Sequence, residues 1–80
     1  MMNIEIYTRE DCVWCVRAQE LLSRHHIPFT KINMPEDISR DDIIEKFPTA
    51  RTFPIIVIND KYIGGFVELE QYFNDGYLES

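Results

Sequence analysis

Cations are scarce in this chain: eight Lys and Arg stand against 14 Asp and Glu, giving a net charge of −6. Binding nucleic acid in general requires clustered Lys and Arg that displace phosphate counterions, so this balance opposes that class of function and suits solubility instead. Long apolar runs are also missing, since no stretch approaches the ~18 residues that span a membrane. The opening Met1-Met2-Asn3-Ile4-Glu5 has neither the basic nor the apolar region of a signal peptide. A reducing, cytoplasmic compartment with no membrane partner is therefore the expectation. Repeats, low-complexity tracts and linkers are absent as well. With 45% hydrophobic and 28% charged residues, the composition is that of a globular chain. Eighty residues, 1–80, make one small domain with a single core and about 60% of its extended-chain surface buried.

Cysteine is limited to two residues, both within Cys12-Val13-Trp14-Cys15. A structural disulfide closes a long loop, whereas a bond between residues three apart restrains the unfolded chain very little. A structural zinc site needs four ligands. Beyond the cysteines the chain offers His25 and His26, adjacent on one helix and facing different ways. As solvated residues near a helix C-terminus they suit the dipole. Redox chemistry fits the cysteine pair better than either use. Ile4-Glu5-Ile6-Tyr7 before the pair reads as a strand and Val16 to His25 after it as an amphipathic helix, so the cysteines stand at a strand-to-helix turn. Helix N-termini carry free N–H groups and about half a positive charge, which favours an anionic sulfur. A thiolate is the form that attacks disulfides. The spacing lets Cys15 resolve a mixed disulfide formed at Cys12.

The element order reads β-α-β-α-β-β-α. In the first helix Ala18, Leu21, Leu22 and His25 fall at i, i+3, i+4 and i+7, and Ile27-Pro28 ends it. Phe29 to Asn33 is a mixed-polarity strand suited to a sheet edge, followed by a turn through Pro35-Glu36-Asp37. Ser39 with Asp42 makes a capping-box-like start for a helix that carries Ile43, Ile44 and Phe47 and stops at Pro48. Ile55-Ile56-Val57-Ile58 predicts a central strand covered on both faces, and Asn59-Asp60-Lys61 a turn back into Tyr62-Ile63. Gly64-Gly65 leads to a last helix with Leu69, Tyr72 and Phe73 inward, stopped by Asn74-Asp75-Gly76. Glu5 suits a doubly covered strand poorly, and its carboxylate is expected near the sheet end, in water.

Tyr7-Thr8-Arg9-Glu10-Asp11-Cys12-Val13-Trp14-Cys15 is similar to the segment Y-T-K-x-x-C-P-Y-C, Thr52-Phe53-Pro54 to T-V-P, and Ile63-Gly64-Gly65-Phe66-Val67-Glu68-Leu69 to I-G-G-x-x-D-L. These segments, in this order and at these intervals, are those of the glutaredoxins, which the chain resembles over essentially its whole length. The resemblance implies a compact α/β thioredoxin fold, with a four-stranded mixed sheet flanked by three helices. It implies glutathione as reducing co-substrate, with no tightly bound cofactor and no metal. Cys12 and Cys15 are catalytic on this resemblance, and Pro54 is cis and faces them. In the Thr52-Phe53-Pro54 segment, Phe53 offers its backbone to the peptide of glutathione as if to another strand. Gly65 lets the backbone approach the ligand, and the N–H groups of Phe66, Val67 and Glu68 hold a γ-glutamyl carboxylate. Glu68 takes the ligand's ammonium or is simply a favourable first-turn acid. Arg9, assisted by Arg51, attracts the glycine carboxylate, or both are solvated surface arginines. Trp14 lies beside the substrate.

The chain also departs from that pattern. Val13 replaces a common proline and restores an N–H in the helix's first turn. Glu10 and Asp11 disfavour a nearby thiolate while Arg9 and the helix end favour it. Val67 stands where many relatives carry a polar residue, which removes one side-chain contact to glutathione. The resulting expectation is a monomeric, glutathione-dependent dithiol oxidoreductase that reduces protein disulfides and glutathione mixed disulfides, with ribonucleotide reductase a candidate protein partner. One rival is a glutaredoxin-like donor recharged by thioredoxin reductase, toward which Val13 and Ile55 lean. Another is an iron–sulfur carrier sharing a cluster between two subunits through Cys12 and glutathione, against which retention of Cys15 argues. A non-catalytic binding module would not need both cysteines.

Overall fold

The computed structural model describes residues 2–76, which form a four-stranded mixed sheet with helices on both faces. The elements are β1 (Ile4–Arg9), α1 (Val13–Arg24), β2 (Thr30–Met34), α2 (Arg40–Lys46), β3 (Ile55–Ile58), β4 (Lys61–Gly64) and α3 (Phe66–Asn74), in the expected order. The strands lie side by side as β2-β1-β3-β4. β1 pairs parallel with β2 and antiparallel with β3, which pairs antiparallel with β4.

The two-residue period of the strands divides the core into two layers. Ile4 and Ile6 of β1 and Ile56 and Ile58 of β3 point to one face, where Ala18, Leu21 and Leu22 of α1 and Leu69 of α3 close over them. Tyr7, Ile55 and Val57 point to the other face, against Ile43 and Phe47 of α2. All of β3 is therefore buried, as its unbroken apolar run predicts. Asn59 and Asp60 both take positive φ, 52° and 66°, the backbone of a two-residue hairpin whose twist matches its strands. Thr8, buried in β1, donates its hydroxyl to Asn33 Oδ1 at 2.7 Å and so ties β1 to the edge strand β2.

Three details differ from the sequence reading. α1 begins at Val13 rather than Val16, because Cys12 acts as its N-cap. It ends before the proline: His26 takes φ 59°, and the N–H groups of His26 and Ile27 donate to the carbonyls of Ser23 and Leu22 at 3.0 and 2.9 Å. In α2, Ile43 and Phe47 pack inward whereas Ile44 is exposed. Glu5, one residue from the start of β1, is half-buried and shares the sheet face of Tyr7. The start of α2 follows the reading, since Ser39 Oγ accepts the N–H of Asp42 at 3.1 Å. Ser39→Ala should therefore lower stability by about 1 kcal/mol in urea denaturation. An unchanged midpoint would mean that the hydroxyl contributes nothing to the helix start.

Candidate active site

β1 delivers the chain to a tight turn in which Asp11 takes φ 56°, and Cys12 follows at the head of α1. Cys12 and Cys15 form a disulfide, with Cα atoms 5.2 Å apart. The Cys15 N–H, one of the free donors at the helix start, donates to Cys12 Sγ at 3.2 Å. In the dithiol form the same donor and the same helix end stabilise a negative sulfur. The two cysteines differ in access: Cys15 is 1% exposed, whereas Cys12 is half-buried and lines an open depression. An incoming sulfur therefore meets Cys12 first.

Both cysteines line a hollow of 490 Å³ with Arg9, Glu10, Asp11, Lys31 and Glu36, and two further depressions adjoin it. The first, of 590 Å³, lies between Trp14, the segment Thr52-Phe53-Pro54 and the start of α3 at Gly65-Phe66-Val67-Glu68. The Phe53–Pro54 bond is cis, as the resemblance implies, and Met34–Pro35 is cis as well. Gly65 allows a close approach here, because a Cβ on it would stand 3.3 Å from the Pro54 carbonyl oxygen. The Trp14 ring lies 5.4 Å from that of Phe66. The second depression, of 700 Å³, contains Cys12 together with Arg9 and Arg51. The Arg9 guanidinium lies 5.9 Å from the Phe53 ring centre. Trp14, Thr52 and Phe53 border both depressions, so all ten residues assigned to glutathione in the sequence lie on one continuous surface around Cys12.

Glu68 has a definite local role. Its Oε1 accepts the Gly65 N–H at 2.7 Å, so the carboxylate caps α3. Of the two uses read for it, the first-turn acid is the one with a partner in this structure. Arg40 is the residue that the sequence reading omits. It opens α2 and completes a trio of guanidinium groups with Arg9 and Arg51. One signal pointed to it: a cation in the first position of a helix sits where the dipole disfavours it. Tyr62 and Ile63 of β4 also line the first depression. The arrangement can exchange disulfides at Cys12, which has the start of α3 on one side and Arg9, Arg40 and Arg51 on the other.

Comparison with known proteins agrees with this architecture. The glutaredoxin family profile matches residues 4–63. Glutaredoxin 3 of Escherichia coli strain K12 is 35% identical over 69 residues, which are 86% of this chain and 83% of that protein. Glutaredoxin 1 of Francisella tularensis, solved in complex with cacodylate, is 28% identical, with a TM-score of 0.80 over 94% of this chain and 95% of that one. The buckwheat glutaredoxin–glutathione complex, 22% identical, shares the fold at a TM-score of 0.80 over 94% of this chain and 71% of that one. With its Cys12–Cys15 disulfide at the head of α1, the chain belongs to the glutaredoxin family and is a thiol–disulfide oxidoreductase of the thioredoxin fold.

Proposed function

We propose that the protein is a glutathione-dependent dithiol oxidoreductase that reduces protein disulfides and glutathione mixed disulfides. The Cys12 thiolate attacks one sulfur of a substrate disulfide, forming a bond to it as the substrate S–S bond breaks. The expelled thiolate takes up a proton. Cys15 then attacks Cys12 Sγ, closing the intramolecular disulfide and releasing the second substrate thiol. Two glutathione thiols reverse these steps: one forms a mixed disulfide at Cys12 and frees Cys15, and the other leaves with it as oxidised glutathione. Two electrons pass in each direction.

One observation carries the glutathione assignment. The open sulfur, Cys12, stands where an arginine-lined depression meets a cleft that ends on helix N–H groups. Glutathione has a thiol in its middle and a carboxylate at each end, so its charge pattern matches this surface. The fold is also that of the buckwheat glutaredoxin–glutathione complex. The reading extends to a cytoplasmic setting, where glutathione is kept reduced. The Glu68 carboxylate on the Gly65 N–H holds the start of α3 beside the cleft, and Val13 and Ile55 are what lean to the rival donor recharged by thioredoxin reductase.

NADPH consumption separates the two. Glutathione with glutathione reductase should support turnover, and Glu68→Ala should raise the KM for glutathione several-fold. Turnover with thioredoxin reductase alone would overturn the glutathione reading and leave the donor reading in its place.

A further inference from the structure

Trp14 borders three depressions: the 590 Å³ cleft, the arginine-lined depression beside Cys12, and a groove of 810 Å³ between α1 and α3. Phe66 lines both the cleft and the groove, so the contact of the two rings, 5.4 Å between centres, is the wall that divides them. Trp14 is 53% exposed, and core packing does not fix its ring. Arg17 touches it as well. The guanidinium lies over the indole, 5.1 Å from the ring centre, within the range of a cation–π contact. Trp14 and Arg17 stand at i and i+3 on α1, a spacing that brings side chains together on a helix surface, so the contact forms without a distant partner. The groove itself is charge-balanced, with Arg17 and Arg24 against Glu20 and Glu70. Arg17 is therefore better explained by the ring it covers than by attraction of a charged partner.

We propose that Arg17 is a positioning residue for the ligand cleft: it holds the Trp14 indole against Phe66 and so keeps the cleft closed on its groove side. Arg17 does not line the cleft and acts through the ring. Without the guanidinium the exposed indole gains rotamers, the wall opens into the groove, and a ligand entering the cleft must order the ring again on binding. An exposed cation–π contact biases such an equilibrium by about two- to fivefold. Apparent affinity falls by the same factor as the fraction of molecules with the wall formed. The effect belongs to binding rather than to chemistry, because Cys12 and Cys15 keep their places at the head of α1 whichever way the indole turns. Its consequence for affinity rests on glutathione as the ligand of the cleft; the wall does not.

Two readouts test it, one without any ligand. Trp14 is the chain's one tryptophan, so time-resolved emission anisotropy reports on this ring alone. In the disulfide form, Arg17→Gln should about double the amplitude of the local decay, which reports rotamer motion on the ps–ns scale. Arg17→Lys keeps the cation and should restore most of the difference. The second readout is turnover of hydroxyethyl disulfide with glutathione and glutathione reductase, followed by NADPH consumption. Arg17→Gln should raise the KM for glutathione about two- to fivefold and leave kcat within about twofold. In a Trp14→Leu background the same substitution should leave that KM unchanged, because no indole is left to hold. Unaltered anisotropy in Arg17→Gln, or an unaltered KM, would overturn the proposal. So would a KM rise of full size in the Trp14→Leu background, since Arg17 would then act on glutathione by its charge. If glutathione does not turn over the wild-type protein, the glutathione reading falls, and the anisotropy alone decides for or against the wall.

Discussion

Cys12→Ser is expected to abolish disulfide exchange of every kind, a loss of ~10³-fold or more because the more open of the two thiols is gone. Cys15→Ser is expected to behave differently. Cys15 is 1% exposed and reaches substrate only through Cys12, so its task is to break a mixed disulfide already formed. A glutathione mixed disulfide at Cys12 can be cleared by a second glutathione, and its turnover should survive. Reduction of protein disulfides should fail, with the protein trapped as a mixed disulfide visible on a non-reducing gel. The difference follows from one structural fact: the Cys15 N–H faces Cys12 Sγ at 3.2 Å, which puts Cys12 at the helix end and Cys15 one step inside. Equal loss for both variants in both assays would show that this division of roles is wrong.

Gly64→Ala should be the most damaging conservative change outside the cysteines. Gly64 holds φ +130°, and a Cβ on it would stand 2.5 Å from Glu68 Cγ. The backbone strain and the loss of the Glu68 cap act together, since the flexible Glu68 side chain must swing away from the Cβ, and the expected cost is about 3 kcal/mol. In a domain of this size that lowers the thermal midpoint by more than about 10 °C. The displaced Glu68 would also release the Gly65 N–H, loosening the start of α3 that borders the cleft. Gly76→Ala is the control, since Gly76 also has positive φ, +81°, but a Cβ there meets nothing within 4 Å among the described residues. Its cost should be about 1 kcal/mol. Equal midpoint shifts for the two variants would mean that the Glu68 contact is not what requires glycine at position 64.

The parts of the fold that can be read from the sequence are those with one dominant local cause. Ile55-Ile58 has no polar residue to turn outward, so it can only be a strand covered on both faces. Asn59-Asp60 favours the positive φ that a two-residue hairpin needs. Other features depend on partners distant in sequence. The start of α1 is hidden because cysteine lies outside the usual capping set, and only the fold shows its sulfur accepting a helix N–H. Arg40 joins Arg9 and Arg51 through packing of three separate elements, which no periodicity encodes. The Glu68 carboxylate had two chemically reasonable destinations, and the short path to the Gly65 N–H is visible only once α3 begins at Phe66. The candidate site was legible as three segments, but the way they divide between two depressions was not.

Trp14 offers the most direct measurement of the central claim, that glutathione and the Cys12–Cys15 pair exchange two electrons. It is the chain's one tryptophan, it lies between the two cysteines, and the residue is 53% exposed at the junction of the depressions. Its emission should change on oxidation and follow a single two-electron Nernst curve across a series of glutathione buffers, with a midpoint near −200 to −230 mV, about the glutaredoxin range. In Cys15→Ser the response should instead follow the simple ratio of reduced to oxidised glutathione, that of a mixed disulfide at Cys12, and lose its dependence on the square of the reduced concentration. Emission that responds to dithiothreitol but to no ratio of reduced to oxidised glutathione would contradict the account.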